Sequence, residues 1–271
     1  NYKFYMKALE GKIALITGAS KGIGRAIAHT FAAQGAHVAF TYLSSVEQGE
    51  SLVAELKARG VDVKGYRSDA SNYEAAQELI TDVVRDFGKL DILINNAGIS
   101  QRSLTLNTEM KVYHKLMNIN YFGVIQMSKL ILPSMMNLKS GNIITITSVN
   151  GKLGSYMKSG YASSKHALHG FFDTLRAEHH QDGISVTLIC PGFIRTQVSI
   201  NAVTGDGTPL GEMDQAQDQG MSPEACAKQL YRAMKSKKEE VYIGGKETLA
   251  IYLMRFLPGL FSKILRTAKV R

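Results

Sequence analysis

The chain has 271 residues, 45% of them hydrophobic, and 32 Lys and Arg against 23 Asp and Glu give a formal charge of +9. That length suits one large α/β domain and is tight for two, and no tract is apolar-poor enough to be disordered outside the ends. Positive charge raises nucleic acid or an anionic membrane as partners, but the basic residues are scattered apart from Lys235, Lys237, Lys238 and a basic C-terminus; an enzyme for a phosphate-rich cofactor fits better, and no nucleic-acid partner is expected.

Strand and helix patterns alternate along the chain. A short apolar β run at 12–17 is followed by a helix at 22–34 that ends at Gly35, a strand at 37–42, a helix at 46–59 and a strand at 61–66. Ser71 reads as the N-cap of a helix at 71–87, with Glu74 completing a capping box. Next come a strand at 90–95, a helix at 109–136, strands at 142–147 and 184–190 flanking a helix at 160–180, a helix at 223–234 and a last strand at 240–243. Such alternation implies parallel strands joined by right-handed crossovers, hence a single Rossmann-type doubly wound parallel sheet. The expected domain spans 9–245 and includes a lid at 197–220, whose polar, glycine-rich part begins at 201; a C-terminal helical extension, amphipathic in pattern, occupies 246–271.

Cys190 and Cys226 make neither a disulfide framework nor a metal site, and Cys190 lies in an apolar run as a packing residue. This cysteine usage suits a reducing cytoplasm. Residues 1–10 lack the apolar core of a secretory signal, and residues 1–5 read as an upstream extension or an expression remnant before Met6.

After the first strand stand Thr17-Gly18-Ala19-Ser20-Lys21-Gly22-Ile23-Gly24, and a helix follows at once. Glycines allow a tight turn and close approach to a pyrophosphate, while the helix N-terminus offers free N–H groups and a positive dipole. An ordinary turn would leave three such glycines unexplained. The GxxxGxG spacing resembles that of the short-chain dehydrogenase/reductase family, which implies a nicotinamide cofactor. An NAD enzyme usually carries Asp or Glu at the end of the second strand. Here that place reads Phe40-Thr41-Tyr42-Leu43-Ser44-Ser45, with no carboxylate before Glu47. Ser44 or Ser45 can hydrogen-bond a 2′-phosphate, and Lys21 matches a basic residue of NADP-preferring relatives, so NADP(H) is expected. The resemblance also places Asp69 and Ala70 at the adenine and Asn95-Asn96-Ala97-Gly98 against the cofactor.

Tyr161 and Lys165 share one helical face, and Ser148 ends the preceding strand, where ligands bind in open α/β sheets. Each alone has a plain structural reading: a surface pair, a strand-end turn, and, for Asn120, a helix-kink residue. With Asn120, the set matches the family's Asn–Ser–Tyr–Lys tetrad in order. A phenol titrates near 10 in water, and a nearby ammonium favours the phenolate. Tyr161 is therefore expected as proton donor with its pKa lowered by Lys165 and by the oxidised nicotinamide, and Ser148 as hydrogen-bond donor to the developing alkoxide. The resemblance implies that Lys165 also binds the nicotinamide ribose, that Asn120 holds a relay water, and that Thr196 in Pro191-Gly192-Phe193-Ile194-Arg195-Thr196 contacts the nicotinamide carboxamide. Tyr156 is expected as a wall of the substrate pocket. His166, His169, His179 and His180 lack Cys or carboxylate partners at metal-binding spacing and read as surface or packing residues; no metal is expected.

The first half, through Ile99, is especially similar to bacterial 3-oxoacyl-acyl carrier protein reductases. Ser100-Gln101-Arg102-Ser103 and the stretch around Tyr161 resemble the branch that includes the 11β-hydroxysteroid dehydrogenases. That family implies a small-molecule carbonyl or alcohol substrate, here apolar or lipid-like, and a homodimer or homotetramer. An acyl carrier protein reductase is the rival activity. A nucleotide-sensing or scaffold protein is a weaker rival, since Tyr161 and Lys165 are both present. In the tail, Leu249, Leu253, Phe256, Leu257, Leu260, Phe261 and Ile264 form one helical face opposite Arg255, Lys263 and Arg266, with a break expected at Pro258-Gly259. Two readings stay open: packing on its own domain or a dimer mate, or lying peripherally in a membrane interface.

Overall fold

Residues 7–267 are described in a computed structural model, and the reading of residues 1–5 lies outside them. Strands β1 (Ile13–Ile16), β2 (His37–Tyr42), β3 (Val63–Arg67), β4 (Ile92–Asn95), β5 (Gly141–Ile146), β6 (Ile184–Pro191) and β7 (Glu240–Ile243) form one sheet in the order β3-β2-β1-β4-β5-β6-β7. Every pairing in it is parallel. The chain winds outward from β1 through β2 and β3, then crosses back to place β4 on the other side of β1. That reversal opens a crevice at the carboxyl ends of β1 and β4, where open α/β sheets bind ligands.

The helices are α1 (Gly22–Ala33), α2 (Val46–Lys57), α3 (Tyr73–Phe87), α4 (Met110–Met117), α5 (Gly123–Asn137), α6 (Ser159–Glu178), α7 (Gln215–Asp218), α8 (Pro223–Lys235), α9 (Leu249–Phe256) and α10 (Pro258–Thr267). Strand side chains alternate between two apolar layers. Ala14 and Ile16 join Ile27, Leu52 and Leu230 under α1, α2 and α8, whereas Ile13 and Leu15 join Leu79, Ile131 and Phe172 under α3, α5 and α6. Burial on both faces explains why the strands read as continuous apolar runs. Phe31, Phe40 and Phe172 are fully enclosed, each such side chain contributing roughly 1.5–3 kcal/mol over an exposed one.

Three expected elements differ. Asn72, not Ser71, caps α3: its side chain accepts from the Ala75 N–H at 2.8 Å. Ser71 is drawn back instead, donating its N–H and Oγ to Asp69 Oδ1 at 2.8 and 2.7 Å, and no capping box forms at Glu74. The helix expected at 109–136 is three pieces, with a π turn at Asn118–Phe122 between α4 and α5. The wide turn directs Asn120 inward, where its carboxamide is fully enclosed. The tail breaks at Leu257, so α9 and α10 are separate and their apolar residues do not share a single face. Ile251 and Phe261 are buried against Leu153, while Leu249, Phe256, Leu257, Leu260 and Ile264 are exposed.

The 197–220 stretch is irregular except for α7, but it is fastened to the body. Ala202 and Val203 are buried, the Val203 N–H donates to the Ser100 carbonyl at 2.9 Å, and Asp214 forms an enclosed ion pair with Arg102.

Candidate active site

Beyond β1 the chain turns through Gly18 and Gly22, at φ of 65° and 59°, in the left-handed region that glycine alone enters cheaply. A Cβ on Gly18 would lie 3.0 Å from Ala97 Cα; one on Gly24 would lie 2.6 Å from Asn96 Nδ2 and 2.7 Å from the Gly18 carbonyl oxygen. Thr17 Oγ1 accepts from the Asn96 and Ala97 N–H groups at 2.9 and 3.0 Å. Asn96 Nδ2 donates to the Thr17 and Gly18 carbonyls at 2.8 and 3.0 Å. The loops after β1 and β4 are thus laced together around the crevice. The N-cap position of α1, Lys21, makes no side-chain cap, leaving first-turn N–H groups for a phosphate.

A cavity of about 1750 Å³ opens along these strand ends. That exceeds the roughly 300–1,000 Å³ of a site for one small ligand and suits a dinucleotide with a substrate beside it. The first half of the chain lines it with Gly18, Ser20, Lys21, Gly22, Ile23, Ser44, Asp69, Ala70, Asn96, Ala97 and Gly98; the second half contributes Ser148, Tyr161, Lys165, Pro191, Gly192, Ile194 and Thr196. The bare glycine turn and the uncapped helix fit a nicotinamide dinucleotide. Three expected residues stand off the cavity wall. Gly24 acts as a packing contact behind the turn, and Asn120 lies behind Gly98, where a Cβ would be 3.0 Å from its Oδ1. Tyr156 is half-exposed outside the lining, in a loop where Met157 adopts a left-handed φ of 62°, so the structure does not bring it into the pocket wall.

Ser148, at the N-cap of a short 3₁₀ turn after β5, is hydrogen-bonded to Tyr161 on α6 and accepts from the Asn150 N–H at 3.1 Å. Lys165, one turn on, is buried and donates to the Ile146 carbonyl at 2.9 Å. Burial alone pulls its ammonium from an ordinary 10.5 to about 8. The expected lowering of the Tyr161 phenol by Lys165 is not seen. Burial pushes the phenol upward, only the Ser148 hydrogen bond opposes it, and the Lys165 ammonium sits 6.0 Å from the ring centre. Asn120 accepts from the Ile99 N–H at 2.9 Å and donates to the Ile99 carbonyl and Ser164 Oγ at 2.9 and 3.0 Å. Its amide therefore ties the segment after β4 to α6.

Several contributors escaped the sequence pattern. Gln101 is fully enclosed, and its Oε1 accepts from the Gly160 and Tyr161 N–H groups at 2.7 and 3.1 Å, capping the helix that carries Tyr161. Arg25 and Arg59 line the cavity, and so does Lys158. His169 does have the Cys and carboxylate neighbours that its sequence spacing hid: ligand atoms of His169, Cys190 and Glu240 lie within 4.8 Å of one another. The Glu240 carboxylate is already held by Lys152 at 2.6 Å and by the Tyr242 hydroxyl at 2.5 Å, which fits a closed polar network.

The family model for short chain dehydrogenases matches residues 12–206. Dehydrogenase/reductase SDR family member 7B of Xenopus laevis is 38% identical over 264 residues, covering 95% of this chain and 81% of that protein. Dehydrogenase/reductase SDR family protein 7-like of Drosophila melanogaster is 36% identical over 272 residues, covering 98% and 83%. These names do not point to the acyl carrier protein reductase that the first half of the sequence resembles. Among solved structures, a Burkholderia phymatum short-chain dehydrogenase/reductase in complex with NAD shares the fold at a TM-score of 0.83 and 23% identity, with 93% of this chain and 95% of that one covered. A metagenomic short-chain oxidoreductase in complex with NADP aligns at a TM-score of 0.72 and 27% identity, with 87% and 97% covered. No helix among the described residues is long and apolar enough to cross a membrane.

Proposed function

The chain belongs to the short-chain dehydrogenase/reductase family of oxidoreductases, and from that premise we propose that it reduces a ketone or aldehyde, or oxidises the matching alcohol, with NADP(H). The observation that carries this reading is the grouping of Ser148, Tyr161 and Lys165 on one cavity with the bare glycine turn. A bound reduced nicotinamide supplies the hydride. Burial keeps the Tyr161 phenol protonated, so it is poised to give its proton to a carbonyl oxygen that gains charge. Ser148 Oγ donates a hydrogen bond to the same oxygen, stabilising it most when it is most charged. Lys165, fixed by the Ile146 carbonyl, keeps further N–H donors that would hold the nicotinamide ribose, and Asn120 ties the segment after β4 to α6.

The preference for NADP(H) rests on Lys21, Ser44 and Arg59 around the crevice, with no carboxylate at the end of β2; Arg25 beside them is paired with Glu55. Leu153, Phe261, Ile264 and Leu265 line the same cavity and favour an apolar or lipid-like substrate. The exposed apolar residues of α9 and α10, beside Arg255, Lys263 and Arg266, support peripheral contact of a cytoplasmic protein with a membrane. A homodimer or homotetramer is the assembly carried over from the family, and the extension at 246–271 is the substrate-facing addition to a domain at 9–245.

Replacing Tyr161 with Phe removes only the proton donor. Turnover of NADPH with a panel of carbonyl compounds is expected to fall by about 10²–10⁴-fold, with NADPH affinity within about threefold of wild type. Near-normal turnover would remove the catalytic assignment. Fluorescence titration is expected to give NADPH at least about tenfold tighter binding than NADH, the worth of one charge-assisted contact to the 2′-phosphate; equal affinities would remove the NADP(H) assignment.

A further inference from the structure

Lys158 is the N-cap residue of α6, just before its first turn, Tyr161 and Lys165 follow within the helix, and all three line the cavity. Tyr161 and Lys165 are engaged, by Ser148 and by the Ile146 carbonyl. The Lys158 ammonium, one turn nearer the helix start, has no carboxylate or hydrogen-bond acceptor among the described residues. Among the described residues the charge acting on it is Arg102, which repels, and burial together with that repulsion draws its pKa down to about 8. Arg102 is enclosed and shares its charge with Asp214, whose side chain is itself buried. Arg102 thus has a carboxylate of its own, and none acts on Lys158 among the described residues. The α6 N–H groups do not need a ligand here, because Gln101 already accepts from two of them. A partly desolvated, unpaired cation is costly, and a cavity wall is where a bound anion would offset that cost.

We propose that Lys158 is a substrate-specificity residue, and that the substrate carries an anionic group, a carboxylate or a phosphate ester, a few bonds from the carbonyl that Tyr161 serves. The inference rests on the oxidoreductase reading above and narrows its substrate class. The head group pairs with Lys158, and the apolar remainder lies along the Leu153, Phe261 and Leu265 side of the cavity. Lys158 and Tyr161 stand within one turn of each other at the start of α6 and open on the same cavity, so the anion and the reacting carbon belong to one end of the molecule.

The test is calorimetric binding of octyl phosphate, octanoate and octanol to the full chain saturated with NADP⁺, in wild type, Lys158→Met and Lys158→Arg. At least one of the two anions is expected to bind wild type about tenfold or more tightly than octanol, and the better of them identifies the head group. Lys158→Met is expected to erase that preference by about ten- to a hundredfold, the range of a hydrogen bond to a charged group, and Lys158→Arg to retain most of it. NADP⁺ affinity should be the same in all three proteins. No preference for either anion in wild type, a preference that survives Lys158→Met, or a parallel loss of NADP⁺ affinity would each overturn the proposal. Because binding is read without turnover, these outcomes are separate from the Tyr161→Phe result, which alone decides the oxidoreductase reading.

Discussion

Around residues 17–24 backbone meets backbone. Thr17, Gly18, Asn96 and Thr41 are joined by hydrogen bonds of 2.8–3.0 Å, the space beside Gly24 is too small for a methyl group, and Gly18 holds a left-handed φ against Ala97. Around residues 249–267 side chains merely lean on side chains: Ile251 and Phe261 are buried, while Phe256 is 73% and Leu257 55% exposed. The first region tolerates one geometry and the second many. A pyrophosphate is the same in every use of a cofactor, so its cradle can be rigid and built from glycine. The tail, which brings Phe261, Ile264 and Leu265 to the same cavity, is an amphipathic segment outside the sheet, and its exposed apolar residues can be exchanged without disturbing it.

The largest expected effect comes from forcing side-chain volume into the rigid region. Gly24→Val would drive methyl groups onto Asn96 Nδ2 and the Gly18 carbonyl. NADPH binding is expected to vanish and stability to fall by more than about 3 kcal/mol, at the upper end for overpacking. Leu260→Gln, on the exposed tail, is expected to shift stability by less than about 0.5 kcal/mol. Thermal unfolding and cofactor titration of both variants check this, and normal NADPH binding by Gly24→Val would erase the distinction between the regions.

The same contrast explains what could be read in the sequence. The glycine turn, the two-layer strands and the Tyr161–Lys165 spacing are local patterns, each complete within a dozen residues, and they lie where they were expected. Lys158 and Gln101 were missed because their importance is relational: one is defined by lacking a partner, the other by reaching helix α6 from the loop after β4. Asn120 was found by its place in the motif, but its π turn was not, since that turn comes from contacts to Ile99 and Ser164 distant in sequence. At Ser71 two good caps compete side by side, and the Asp69 carboxylate decides between them. The acidity expected of Tyr161 counted charge and neglected burial, which is invisible along the chain. In the tail, the break at Leu257 rotates α10 relative to α9, so residues that align on one ideal helix divide between core and surface.

That division can be probed within the tail itself. Phe261→Ala should cost about 2–3 kcal/mol, somewhat less than a fully enclosed phenylalanine, because its cluster with Leu153 and Ile251 is small. Phe256→Ser should leave stability within about 0.5 kcal/mol, yet lower co-sedimentation with anionic vesicles, which should also weaken as salt rises. If Phe256→Ser proves as destabilising as Phe261→Ala, the exposed face is covered by protein. Vesicle binding by neither protein would remove the membrane contact.

The smallest effect concerns the burden that the catalytic end places on folding. Lys165 is buried, with its pKa drawn from 10.5 to about 8. Between those values the unfolded chain binds a proton that the folded chain does not, so stability rises with pH across that window. Above 10.5 both states are neutral there and the penalty is gone; as pH falls toward 8 it grows, and below 8 it is fully present and constant. Lys165→Met cannot titrate, so it should gain on wild type as pH falls, after allowance for a constant loss from the Ile146 hydrogen bond. The difference in unfolding free energy between the two proteins should change by on the order of 2 kcal/mol from pH 10.5 to 8, since each tenfold loss of proton affinity is worth about 1.4 kcal/mol. It should then level off below 8. Lys158 carries the same depression but is common to both proteins, so its contribution cancels in the difference. Paired urea titrations at successive pH values measure this directly. A difference flat across the window would mean that Lys165 keeps its ordinary affinity for the proton, and that the functional end of the fold is no more strained than the tail.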